Sequence, residues 1–183
     1  MRYATLWIFF FLQQCSVLSA ELPENCTEFL AKKKMFFSQH AEVRGRNCAQ
    51  KISYTKNSEK LHFTVTIPVE KFTSGNRKRD NALVEILGNS LTFRSEFTAA
   101  NFQKLLTGEI SVLAGSLELS TGTFPLVFHL TKTDKQLTGS YRGTLTAFGI
   151  TPPKVGPAGA IADTEDFVEL TFKIHINNLP KTF

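Results

Sequence analysis

Histidine side chains are the groups in this sequence best suited to acid–base or metal chemistry, and three of them occupy similar positions. His62, His129 and His175 each stand between two large apolar residues. A catalytic base or a metal centre needs its side chains to converge on one cavity. Successive side chains of a β-strand point to opposite faces, so histidines flanked by inward apolar residues are predicted to face solvent. The same reasoning places Glu118, which lies between two leucines, on the outside.

Short motifs typical of enzymes are also missing from the sequence. There is no Gly-x-Ser-x-Gly, His-Glu-x-x-His or Cys-x-x-Cys, and no glycine-rich phosphate loop. Asp163, Glu165 and Asp166 carry oxygen atoms that suit calcium, but their spacing matches no known calcium loop. We interpret them as a solvated acidic turn at the end of a long Pro- and Gly-rich loop over residues 149–166. The expectation is a protein without catalytic residues, a metal site or an organic cofactor, and not an enzyme.

The first 20 residues have the pattern of a secretory signal peptide. Arg2 supplies positive charge, an apolar run follows over residues 6–12, and the small residue Ala20 suits a cleavage site. The run is much shorter than the roughly 20 apolar residues that span a bilayer. The sequence therefore predicts an exported protein, periplasmic or secreted, with a signal peptide at residues 1–20 and a single domain at residues 21–183.

Charge and cysteine content restrict the partners and the compartment. The formal net charge of +5 is small and spread along the chain. It favours transient contact with an anionic membrane surface over binding to nucleic acid. Cys26 and Cys48 are the cysteines that remain after signal cleavage. In an oxidising compartment they are expected to form a disulfide, and two unpaired thiols are the alternative.

Alternation of apolar and polar residues with period two dominates the chain after residue 50. The clearest examples are Leu61–Ile67, Leu91–Phe97, Phe124–Leu130 and Val168–Ile176, and weaker ones are Lys51–Tyr54, Ser111–Leu119 and Gly139–Phe148. Strands at this spacing, separated by Gly, Asn and Asp, indicate a sandwich or a barrel. Two short helices are predicted as connections, one over Asp80–Leu87 and one over Ala99–Leu106 with Thr98 as its N-cap.

The inward rows of these strands are rich in phenylalanine, which accounts for 17 residues of the chain. An eight-stranded barrel is just wide enough either to fill itself with side chains or to hold one small ligand. The periodicity alone favours the filled barrel. If a ligand is bound, the residues predicted to contact it are Phe63, Val65, Ile67, Phe93, Phe97, Phe124, Leu126, Phe128, Leu170, Phe172 and Ile174.

Three segments in a fixed order resemble the YceI-like family of bacterial polyisoprenoid-binding proteins. They are residues 67–80 (a strand, a polar turn and an Arg-Asp pair), residues 117–126 (a hairpin with a Gly-Thr turn) and residues 145–153, which the closing strand 167–176 follows. The resemblance extends from Leu61 to Ile176, which is well over half of the predicted domain.

This resemblance implies an all-β fold, an extended antiparallel, lipocalin-like barrel of eight strands with one or two short helices. It also implies export to the periplasm and a long apolar ligand in the barrel, such as a polyisoprenoid, a quinone tail or a fatty amide. Headgroup selection would then fall to the rim, where Arg77, Lys78 and Arg79 are candidates for contacting an anionic group. Arg79 and Asp80 are expected to pair at the helix start.

Two other functions are compatible with the residues. A filled barrel without a small ligand would act as a protein–protein interaction module of the cell envelope. A hydrolase of lipid-like substrates would need polar side chains that point inward, which the alternation does not predict. The lipid content of the purified protein separates the carrier from the interaction module.

Overall fold

The computed structural model of this chain describes residues 25–35, 40–57, 59–155 and 162–180. The predicted signal peptide at residues 1–20 lies outside these ranges. Within them the strands are β1 (Cys26–Met35), β2 (His40–Asn47), β3 (Lys51–Lys56), β4 (Lys60–Pro68), β5 (Ser90–Thr98), β6 (Val112–Leu119), β7 (Gly122–Lys132), β8 (Gln136–Gly143), β9 (Lys154–Val155) and β10 (Ala162–His175). The α-helices are α1 (Arg77–Leu87) and α2 (Ala99–Thr107).

The described strands form one antiparallel sheet that curls around a single core. Nine of them follow the order β2-β1-β10-β8-β7-β6-β5-β4-β3, and the short β9 pairs with β10. The predicted antiparallel, barrel-like fold with two short helices is confirmed. The sheet has more strands than the eight expected, because residues 26–47 supply β1 and β2. Basic outer residues and the inward Gly45 hide the apolar alternation in this segment.

The end of the edge strand β2 is hydrogen-bonded to Pro68 and Thr73, at and after the end of β4. The backbones of Arg46 and Thr73 exchange two hydrogen bonds of 2.9 Å each. Nδ2 of Asn47 donates to the Pro68 carbonyl at 2.7 Å. These bonds tie the end of β2 to the segment that follows β4. Further along β3 the barrel is partly open, since Tyr54 lies on the inner face of the edge strand and is 48% exposed.

Both helices begin at caps that the sequence supplies. Oγ1 of Thr98 accepts a hydrogen bond from the Asn101 N–H at 3.3 Å, and α2 buries Phe102 and Leu105. Asn76 caps α1 in the same way, so this helix begins before Asp80, where the sequence predicted its start. Among the described residues, no helix is both long enough and apolar enough to cross a membrane.

The strand predicted over residues 139–148 is shorter in the structure. β8 ends at Gly143, and Thr146–Phe148 form one turn of 3-10 helix that buries Phe148. Gly149 ends this turn in the left-handed region, with φ of 66°. This conformation is favourable for glycine and breaks the strand pattern.

The predicted acidic turn is wrong. Asp163, Glu165 and Asp166 lie within β10, which pairs with β1 and β9 along this stretch. Oε1 of Glu165 lies 2.7 Å from Nδ1 of His40. The stretch is poor in apolar residues and its pairing with β1 contains a register shift, so the sequence carries no clear alternation there.

Candidate functional site

The inner faces of β4, β5, β7 and β10 surround a central cavity of about 50 Å³. Nine of the eleven residues predicted to face a ligand line it: Phe63, Val65, Ile67, Phe93, Leu126, Phe128, Leu170, Phe172 and Ile174. Phe97 lines a separate void of about 10 Å³ beneath α2. Phe124 does not line the central cavity. It is half-buried, and its ring contacts that of Phe148. The predicted inward rows therefore converge on one apolar interior.

The volume of this cavity decides what the observed conformation can hold. A cavity needs about 10–15 Å³ for one water molecule, and an engineered void of roughly 150 Å³ binds benzene. A cavity of about 50 Å³ is thus too small for a long lipid. Side chains fill most of the barrel in this conformation, and a lipid could enter only if some of them moved.

Part of this filling is a connected cluster of aromatic rings. The Phe128 ring contacts Phe93 and Phe172 edge to face, with centroid distances of 5.4 and 4.9 Å. Tyr141 extends the cluster, 6.5 Å from Phe128 and 5.6 Å from Phe148. Burial raises the pKa of the Tyr141 hydroxyl, so this ring is neutral near pH 7. The cluster is a set of uncharged rings, of which Phe93, Phe128 and Phe172 line the cavity.

Glycines on neighbouring strands make room for three of the phenylalanine rings. A Cβ atom on Gly139 would lie 2.1 Å from the Phe172 ring, and one on Gly45 would lie 2.1 Å from Phe29. A Cβ on Gly115 would lie 2.5 Å from the Phe93 ring. The alternation of apolar and polar residues predicted no role for these glycines. Their signal was a glycine at an inward position of an alternating strand, which often marks close approach of another group.

Substitution of Gly139 tests this packing. Gly139→Ala is expected to lower the free energy of unfolding by about 1–3 kcal/mol, because the new methyl group overlaps the Phe172 ring. Urea denaturation of the purified protein measures it. Ser140→Ala, at the next position and on the opposite face of β8, is the control and should change stability by less than about 0.5 kcal/mol. Recovery in Gly139→Ala/Phe172→Leu is also expected, and its absence would contradict the assigned contact.

Two polar side chains, Thr27 and Gln50, also line the central cavity. Oγ1 of Thr27 donates to Oε1 of Gln50 at 2.6 Å. Cys26 and Cys48 lie beside these residues and form a disulfide, with a Cα–Cα distance of 4.1 Å. Neither Thr27 nor Gln50 was predicted to face the interior, because neither belongs to a strand with clear alternation.

Histidines lie away from this cavity. His62 is 3.1 Å from Glu96 on the outer face, and His129 is exposed. Nδ1 of His175 accepts a hydrogen bond from the Asn177 N–H at 3.1 Å, which caps a short turn. In the described ranges, no group of three or more His, Cys, Asp or Glu side chains is arranged to hold a metal ion.

The three basic residues predicted at the rim have different surroundings. Arg77 and Lys78 are exposed in the first turn of α1. Arg79 is partly buried, and its guanidinium donates to the Oγ and the carbonyl of Ser74, both at 2.7 Å. Asp80 accepts hydrogen bonds from the hydroxyl and the N–H of the same serine. Arg79 and Asp80 thus hold the turn before the helix, and Arg77 and Lys78 are the exposed members of this basic cluster.

Asp166 holds the 3-10 turn that buries Phe148. Its carboxylate accepts hydrogen bonds from the Thr146 hydroxyl at 2.5 Å and from the Thr146 N–H at 2.9 Å. These bonds, the hydroxyl first, lower the pKa of the Asp166 carboxyl from its ordinary value. Because the pKa is lower in the folded state, the stabilisation is present above the unfolded-state pKa of about 3.9 and is lost as the pH falls through the folded-state value.

The pH dependence of stability tests this role of Asp166. Asp166→Asn is expected to be less stable than the unchanged protein at pH 7, and the difference should shrink as the pH falls below about 4. Urea midpoints measured between pH 7 and pH 2.5 give the comparison. Asp134→Asn, in the exposed turn between β7 and β8, is the charge-matched control. A difference that stays constant over this pH range would refute the assigned hydrogen bonds.

Comparison with known proteins identifies relatives of this fold. Residues 27–176 match the family described as the YceI-like domain. The match begins well before Leu61, because β1 and β2 are part of the fold. No match was found among curated proteins.

Three solved structures with similar folds come from bacteria. Burkholderia cenocepacia BcnA is 14% identical, with a TM-score of 0.51 and coverage of 81% of this chain and 94% of its own. A polyisoprenoid binding domain from Saccharophagus degradans, implicated in plant cell wall breakdown, is 8% identical, with a TM-score of 0.53 and coverage of 82% and 97%. The Campylobacter jejuni YCEI protein is 14% identical, with a TM-score of 0.50 and coverage of 75% and 85%. At these identities the likeness concerns the fold.

Proposed function

The chain belongs to the YceI-like family, and we propose that it is an exported carrier that binds a long apolar lipid inside its barrel. The ligand classes considered are a polyisoprenoid, a quinone tail and a fatty amide. The observation that supports this proposal most is the lining of the central cavity, where thirteen of fifteen residues are apolar. The Saccharophagus degradans domain, which shares the fold, is described as polyisoprenoid binding.

Lipid binding in this barrel requires the aromatic cluster to move. Each methylene group transferred from water to an apolar interior contributes about 0.8 kcal/mol, so a five-carbon prenyl unit contributes about 4 kcal/mol. Reorienting rings and ordering the ligand offset part of that gain. The edge strand β3 suits such an expansion, since it has β4 as its sheet neighbour and its inner Tyr54 is already 48% exposed. In the proposed carrier, β3 and the aromatic rings move together when the lipid enters the barrel.

Transient contact with a membrane completes the proposed carrier cycle. A long apolar lipid is stored in membranes, so a carrier must collect it there. Arg77 and Lys78 are exposed cations at the start of α1, and surface cations of this kind are attracted to anionic lipid headgroups at about 1 kcal/mol each. Export to the periplasm or the exterior, and binding without catalysis, are parts of the same proposal.

A second candidate function is a filled barrel that acts as a protein–protein interaction module of the envelope. The small volume of the central cavity, about 50 Å³, favours it. Val112 and Val127 are 46% and 45% exposed on the outer face of the β6–β7 hairpin and would suit an apolar contact. The carrier is preferred because the apolar cavity already exists at the centre of the barrel.

Organic extraction of the purified protein, followed by mass spectrometry, tests the proposed function. The carrier predicts a long-chain lipid in a defined ratio to protein. Val65→Asp places a carboxylate in the cavity wall and should abolish lipid retention in protein that circular dichroism shows to be folded. Thr64→Asp, on the opposite face of the same strand, should retain the lipid. Protein that contains no lipid and takes none up when mixed with prenyl chains would instead favour the interaction module.

A further inference from the structure

Thr27 and Gln50 form a hydrogen-bonding pair in an otherwise apolar wall. Thr27 is 6% exposed and is fixed in β1 between two neighbours, opposite Phe172 of β10 and Asn47 of β2. Its hydroxyl donates to the amide oxygen of Gln50 at 2.6 Å. Both side chains line the central cavity. The pair is therefore in a position to contact whatever the cavity holds.

This pair has hydrogen-bonding capacity to spare. Nε2 of Gln50 donates to the Lys173 carbonyl at 3.4 Å, longer than the usual 2.7–3.2 Å. A primary amide has two hydrogens, so that bond leaves one for another acceptor. The Thr27 oxygen keeps its lone pairs when its hydrogen is donated to Gln50. The pair can thus donate to a carbonyl or hydroxyl oxygen and accept from a hydroxyl group.

The pair also lies at the outer end of the cavity. Gln50 is half-buried, and its chain neighbours Ala49 and Lys51 are exposed. The disulfide joins Cys26, which precedes Thr27, to Cys48. It holds the segment with Gln50 against β1. A ligand group bound at Gln50 would lie near the surface, with its chain directed inward toward the aromatic cluster.

Charge at this position would be unfavourable. The residues that line the central cavity include no charged side chain. Lys173 is buried nearby, but its side chain leaves β10 on the face opposite to Phe172 and Ile174, which line the cavity. A phosphate or carboxylate drawn among these residues would gain no cation from the cavity wall to offset the hydration that it loses, which is unfavourable.

We propose that Thr27 and Gln50 bind the neutral oxygen headgroup, a hydroxyl or a carbonyl, of the apolar lipid. The inference rests on the proposed function and deepens it, since it assigns the headgroup to this pair and not to the cations at the start of α1. The lipid is then a prenyl alcohol, a quinone or an amide, and its phosphorylated counterpart is excluded from the site.

A competition between two matched probes tests the headgroup site. Delipidated protein is mixed with equal amounts of the alcohol phytanol and the hydrocarbon phytane in detergent, and native mass spectrometry gives the ratio bound. In Thr27→Val/Gln50→Leu the ratio of alcohol to hydrocarbon should fall by about 2- to 13-fold, the factor for one neutral hydrogen bond. Phytane binding should be unchanged. The double substitution replaces both partners by apolar groups of similar shape, so little loss of stability is expected.

Controls separate this site from the carrier function as a whole. Thr64→Val, on the outer face of β4, should keep the unchanged protein's ratio. A second competition uses the aldehyde phytanal in place of phytanol. Its bound ratio to phytane should fall by the same factor in the double variant, since Gln50 can donate to a carbonyl or a hydroxyl oxygen. An unchanged ratio in the double variant, or displacement of phytanol by phytanyl phosphate, would overturn the headgroup site while leaving the carrier intact. Failure of both phytanol and phytane to bind would overturn both proposals.

Discussion

Phe128→Ala is expected to lower the free energy of unfolding by about 3–5 kcal/mol. Phe128 is 6% exposed, and its ring contacts Phe93, Tyr141 and Phe172. Its removal eliminates the central member of the aromatic cluster and enlarges a cavity that the other rings cannot close completely. Urea unfolding of the delipidated protein, followed by circular dichroism, measures the change.

Val127→Ala is the matched control for this experiment. Val127 precedes Phe128 on β7, faces outward and is 45% exposed. Its substitution should change stability by less than about 0.5 kcal/mol. Comparable losses of stability in the two variants would contradict the assignment of Phe128 to the inner face of β7 and of Val127 to its outer face. Addition of a bound lipid should restore part of the stability of Phe128→Ala, because the ligand fills the enlarged cavity.

Removal of the disulfide is expected to lower the free energy of unfolding by about 3 kcal/mol. The Cys26–Cys48 bond closes a loop with a sequence separation of 22 residues. In the chain-entropy account, a closure of this length stabilises the fold by about that amount, because it restricts the unfolded chain. Cys26→Ala/Cys48→Ala and the unchanged protein are compared by urea unfolding without reductant.

Reductant supplies the control for the disulfide. A thiol reductant should destabilise the unchanged protein by a similar amount and leave Cys26→Ala/Cys48→Ala unaffected. The loss should also reach the neighbouring hydrogen bonds, since Thr27 and Gln50 lie beside the two cysteines. Equal stability with and without reductant in the unchanged protein would contradict a structural role for this bond.

The parts of the fold that the sequence predicted are those where each strand carries its own alternation. The rows that contain Phe63, Phe93 and Phe172 were identified because apolar and polar residues alternate with few interruptions. The N-cap Thr98 predicted the start of α2 for a similarly local reason. A pattern within a single strand indicates which face is buried, whatever the partner strands are.

Features that depend on two distant segments could not be predicted in this way. The cavity volume is set by pairs such as Gly139 and Phe172, which lie on different strands. Gln50 reaches the cavity because β2 and β3 turn at the disulfide, and it belongs to no alternating run. Asp166 lies in a part of β10 whose sequence shows no clear alternation. Its place in a strand follows from the pairing of β10 with β1. The cavity volume, the position of Gln50 and the strand at Asp166 therefore depend on register and strand order, which alternation within one strand does not indicate.

Photoaffinity labelling tests most directly the claim that a lipid binds inside the barrel. Delipidated protein is incubated with a 20-carbon isoprenoid alcohol that carries a diazirine near its tail, irradiated, digested and sequenced by mass spectrometry. The carrier predicts labels on inner-face residues such as Phe63, Phe128 and Phe172, in competition with unlabelled lipid. Labels concentrated on the outward residues Val112 and Val127, or labelling that excess unlabelled lipid does not reduce, would contradict it.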